Sequence, residues 1–105
     1  MKRILSSLYL LLISIALLAN DRFAVADIFT DHMVLQRNAN VKVWGEGTDG
    51  SQIEVRFEGQ NRKTVVAKGK WTVDLKTGEA GGPYKLEIVN GNHKICFKDV
   101  FVGDV

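Results

Sequence analysis

The chain has 105 residues, 46% of them hydrophobic and 25% charged, with a formal net charge of +2, which leaves room for one domain. Three of its fourteen basic residues (Lys2, Arg3, Arg22) and one of its twelve acidic residues (Asp21) precede Asp27, so the remainder holds eleven of each and is neutral. A neutral domain has no electrostatic ground for binding nucleic acid or anionic lipid, and a single cysteine, Cys96, excludes an intrachain disulfide framework.

The first predicted element is a secretory signal peptide. Lys2 and Arg3 form a positive start, residues 4–19 are apolar apart from Ser6, Ser7 and Ser14, and Ala24-Val25-Ala26 is a small-x-small cleavage site. The apolar run is shorter than the ~20 residues a spanning helix needs, and serines break it. The expected cut falls before Asp27, because a cut after Ala19 places Leu17 where a small residue is wanted. The chain then divides into a leader, 1–26, and a domain, 27–105, exported to the periplasm or the extracellular space (lysosomal or secreted in a eukaryote), with no membrane contact after cleavage. A domain of that size buries only ~60% of its unfolded surface and is marginal alone.

Beyond Asp27 the pattern is alternation, which predicts strands. Weak strands are expected over 33–36 and 41–44, then a glycine-rich loop over 45–51. Ile53, Val55 and Phe57 alternate with Glu54, Arg56 and Glu58, and residues 58–61 form a link to a weak strand over 63–67. Lys68-Gly69 is a tight turn into Trp71, Val73 and Leu75, which alternate with Thr72 and Asp74. Residues 78–83 form a longer crossing, since Pro83 cannot donate to a central ladder. Tyr84, Leu86 and Ile88 alternate with Lys85 and Glu87, and Asn90-Gly91 predicts a type I′ hairpin with φ > 0 at both positions. Ile95 and Phe97 alternate with Lys94 and Lys98, and the final run, 100–105, is apolar on both faces, as in a doubly buried strand. Seven or eight strands predict an all-β fold, a small antiparallel β-sandwich of immunoglobulin-like or jelly-roll-like type, with Trp71 and Tyr84 as core anchors. The last strand is expected to lead into a further, α/β catalytic domain.

Little chemistry is on offer. Ser51 is the one serine past the leader, and its glycine-rich loop accounts for it as a turn residue. Asp31 and His32 are neighbours, but adjacent side chains on an extended strand point apart. One cysteine and two distant histidines, His32 and His93, make no zinc site. The expected catalytic, cofactor-binding and metal sets are therefore empty. Trp44 is out of phase with Val41 and Val43 and is a candidate outward platform, either for a glycan or for a neighbouring domain.

Five phrases in order carry a resemblance: Phe29-Thr30-Asp31-His32-Met33-Val34-Leu35-Gln36-Arg37, then Val41-Lys42-Val43-Trp44-Gly45, Gly69-Lys70-Trp71, Ala80-Gly81-Gly82-Pro83-Tyr84, and Lys98-Asp99-Val100-Phe101-Val102-Gly103-Asp104-Val105. Together they make the chain similar to the N-terminal β-sandwich of the sialate O-acetylesterase family. Residues 67–70 depart from it, with Ala67-Lys68-Gly69-Lys70 where the family often has an Asp-Gly turn and a slightly longer loop. The resemblance implies an exported SGNH-type serine esterase that removes O-acetyl groups from sugars. It implies that the strand ending at Val105 is followed by a tryptophan and a Gly-Gln-Ser-Asn motif holding the nucleophile. No catalytic residue of the family falls within this sequence, so the segment is expected to be a scaffold for that catalytic domain. A stand-alone glycan-binding module and an adhesive domain with an exposed edge strand are the alternative readings.

Overall fold

The computed structural model describes residues 22–105, and the residues before Arg22 in the predicted leader lie outside them. Eight strands follow in order: β1 (Ala24–Val25), β2 (Val34–Gln36), β3 (Asn40–Glu46), β4 (Gln52–Phe57), β5 (Gln60–Val65), β6 (Lys70–Lys76), β7 (Gly81–Asn90) and β8 (His93–Gly103). No described residue is helical. The strands form a three-stranded sheet, β1-β3-β6, and a five-stranded sheet, β2-β8-β7-β4-β5. The predicted all-β sandwich is what the chain forms.

The alternation fixes the core. Val43 of β3 and Trp71, Val73 and Leu75 of β6 point in from the small sheet. Ile53, Val55 and Phe57 of β4, Leu86 and Ile88 of β7, and Val100 and Val102 of β8 point in from the large one. Each fully buried aliphatic or phenyl side chain contributes ~1.5–3 kcal/mol relative to exposure. Trp71 is 3% exposed, and its indole N–H donates to the Glu46 carbonyl at 3.1 Å, so the ring is buried without an orphaned donor. Tyr84 is only half-buried and meets Phe57 edge-on at 5.6 Å.

Several turns differ from their predicted form. The β4–β5 loop is two residues, Glu58 and Gly59, with φ of 49° and 73°, as a type I′ turn requires; Gln60 and Asn61 belong to β5. The β7–β8 loop is shifted by one residue from expectation. Asn90 pairs with His93, the loop is Gly91-Asn92, and of Asn90, Gly91 and Asn92 only Gly91 has positive φ, at 57°. A glycine at the first central position fits a type II′ turn, which the Asn90-Gly91 reading misplaces. Gly81, Gly82 and Pro83 already belong to β7, which contains a cis Gly82–Pro83 bond, and Pro83 falls where the β7–β8 register shifts. There a missing donor breaks no regular ladder rung.

The strands predicted over 94–98 and 100–105 are one strand. Between the pairs Leu86↔Phe97 and Tyr84↔Val100, β8 advances one residue more than β7, and Asp99 takes φ of 53° within that bulge. A bulge bends the strand and resets which face its side chains use. The final run is consequently buried on one side only: Val100 and Val102 point inward, while Phe101 is 41% exposed. β2 runs parallel to β8, with Val34 opposite Phe101, in a set of pairings that is otherwise antiparallel. A parallel pair needs a long connection, and nearly the whole domain lies between these two strands.

Candidate functional site

Trp44 stands on the outer face of β3 because its neighbours Val43 and Gly45 take the inner one. The residue is 43% exposed, and its ring meets Phe29 edge-on, with centroids 5.1 Å apart and planes at 78°. It divides two open grooves. One, of about 470 Å³, is lined by Lys42, Trp44, Thr64, Val65, Trp71 and Thr72. The other, of about 370 Å³, is lined chiefly by Ile28, Met33, Val34, Val41, Trp44 and Val105. The outward position read from the phase of residues 41–44 is therefore the one observed.

The apolar surface is wider than that one residue. Ile28, Val34, Phe101 and Val105 are also exposed, and Val34 and Phe101 sit opposite each other across β2 and β8. Clustered exposed apolar side chains mark a surface that another molecule can cover. The sequence does not reveal this pair, since Val34 falls in a run that reads only as a weak strand and Phe101 in one that reads as buried on both faces. The outward direction of Phe101 depends on the Asp99 bulge.

The polar candidates stay apart. The Ser51 hydroxyl donates to the Thr48 carbonyl at 2.5 Å, so it is the turn residue its loop suggested. Asp31 and His32 lie in a turn rather than on a strand, and each has its own partner. The Asp31 carboxylate accepts the Lys98 N–H at 2.7 Å, while His32 Nδ1 lies 3.4 Å from Asp99 at the surface. His93 opens β8 beside the hairpin turn, and Cys96 is a half-buried free thiol in the same strand. Among the described residues, no three His, Cys, Asp or Glu side chains gather where a metal ion could sit.

One carboxylate has a displaced titration. The Lys94 ammonium, hydrogen-bonded to Glu87 across β7 and β8, lowers the Glu87 pKa below its ordinary value; partial burial acts the other way and is outweighed. Both side chains lie on the sheet surface, and the pair braces two strands rather than poising an acid for catalysis.

The described chain thus offers an aromatic and apolar surface without an assembled nucleophile, base and orienting acid. No protein-family model matches it, and no curated protein matches it. Among solved structures it is similar to a carbohydrate acetylesterase from Xanthomonas citri, with 34% identity and a TM-score of 0.74. The likeness covers 77% of this chain and 19% of that one, so this chain spans about a fifth of the esterase it matches.

Proposed function

We propose that this chain is the N-terminal β-sandwich of an exported carbohydrate O-acetylesterase of the sialate O-acetylesterase type, and that it is a non-catalytic scaffold. The observation that carries the reading is the 34% identity, in a shared fold, to one fifth of a carbohydrate acetylesterase. The five ordered phrases between Phe29 and Val105 support the narrower family. In such an enzyme a serine attacks the acetyl carbonyl, and backbone N–H groups hold the oxyanion. Here the work of residues 22–105 is to brace that catalytic domain, with the apolar groove beside Ile28, Val34 and Val105 as the docking face.

The reading predicts that the 105-residue chain alone hydrolyses neither an O-acetylated sialic acid nor an aryl acetate. Turnover by this chain that disappears in Ser51→Ala would overturn it. The exposure of Trp44 between two grooves favours one second reading, a glycan-binding module. Calorimetry with sialylated and plant-type glycans separates the two: saturable binding lost in Trp44→Ala supports the module, and no heat supports the scaffold.

A further inference from the structure

The residues that read as the leader's cleavage site are also the first strand of the sandwich. β1 lies antiparallel along the outer edge of β3, with Ala24 opposite Glu46 and Val25 opposite Gly45. The Ala26 N–H donates to the Trp44 carbonyl at 3.0 Å, and the Ala26 carbonyl accepts from Phe29 at 3.1 Å. Phe23, Val25 and Ala26 pack against the core, and Phe23 and Val25 keep the two-residue period of a half-buried strand.

β3 is shaped to receive this strand. A Cβ on Gly45 would lie 2.1 Å from the Ala24 carbonyl oxygen and 2.8 Å from Cζ2 of Trp71. The backbone of β1 and the Trp71 ring therefore close in on a position where only hydrogen fits. Glycine inside a strand weakens it unless something approaches closely, and here Ala24 and Trp71 do. A cut before Asp27 would remove the covering strand and leave β3 and β6 as a two-stranded sheet whose β3 edge presents unpaired backbone groups.

We infer that the leader is cut upstream of Phe23, so that residues 23–26, with β1 at their centre, stay in the mature protein. The Ala19–Asn20 bond, just past the dense apolar run of residues 8–18, is the cut point that keeps β1 whole, although Leu17 precedes it. The inference rests on the export reading above, and one experiment tells their failures apart. The full chain, with its leader, is expressed in an exporting bacterium, and the exported product is analysed by intact mass and N-terminal sequencing. The expected mature chain begins between Asn20 and Phe23. A start at or beyond Ala24, Asp27 included, overturns the inference while leaving export intact. A product that still begins at Met1 overturns both. As a second arm, Ala26→Lys removes the small residue needed for a cut before Asp27. Processing unchanged in this variant is the expected result, and lost or shifted processing contradicts it, whether or not the variant folds.

Discussion

The Asp31 carboxylate accepts the backbone N–H of Lys98 at 2.7 Å, across 67 residues of chain. The adjacent His32 N–H donates to the Lys98 carbonyl at 3.0 Å. This turn therefore grips both backbone groups of Lys98, next to the bulge at Asp99, and sets β2 on its parallel course along β8. Hydrogen bonds to charged groups contribute ~1.5–3 kcal/mol, less at an exposed site. Asp31→Ala is expected to destabilise the domain by about 1–2 kcal/mol, and Asp31→Asn, which keeps an acceptor, by less. Urea denaturation reads the difference, and equal stabilities for wild type and Asp31→Ala contradict the role.

Thr77 performs a second clasp between the sheets. Its hydroxyl donates to the Gln36 carbonyl at 2.5 Å and accepts the Ala39 N–H at 3.0 Å, in a buried position. Thr77→Val keeps the shape and leaves both backbone groups unpaired. A loss of about 1–3 kcal/mol follows from leaving buried polar groups unsatisfied. Thr77→Ser, which retains the hydroxyl, is expected to lose less, and denaturation midpoints in the order Val above Ser would refute the assignment.

Burial separates the two tryptophans. Trp71→Ala removes a core anchor and is expected to cost about 3–5 kcal/mol, enough to unfold a marginal domain at 25 °C. Trp44→Ala removes an edge-on contact with Phe29 and a partly exposed ring, a loss of order 1 kcal/mol. Far-UV circular dichroism at 25 °C distinguishes them. A folded Trp71→Ala beside an unfolded Trp44→Ala would reverse the account of the sandwich interior.

The Glu87–Lys94 pair gives a pH dependence. The folded pKa of Glu87 lies below its unfolded value, so the pair's contribution is fully present above the ordinary glutamate range and is lost as pH falls through the lowered pKa. Glu87→Gln is expected to be less stable than wild type at pH 7, with the gap closing in acid. A gap that widens as pH falls would show that Lys94 does not hold the carboxylate ionised.

How much of this was legible follows the physics of each element. Strong apolar alternation marks β4, β6 and the body of β7, because burial on one face leaves a two-residue signature. β5 is faint in the sequence because it is an edge strand, polar on both faces up to Val65 and carrying Arg62 and Lys63. Nothing local marks the bulge at Asp99, which arises from pairing with β7 and the grip of Asp31, so the outward turn of Phe101 is hidden. Residues 24–26 serve two readings, and composition favours the cleavage site while pairing with β3 favours the strand. Trp44 was readable from phase alone. The rest of the apolar surface needed the three-dimensional register.

The proposal that these residues are the front of a longer carbohydrate esterase is tested most directly by reading the coding sequence past the Val105 codon. The account predicts an open frame that continues into a tryptophan and a Gly-Gln-Ser-Asn motif, followed much later by the catalytic aspartate and histidine that the family resemblance implies. A stop codon immediately after Val105 would contradict it, and the glycan-binding reading of Trp44 would take its place.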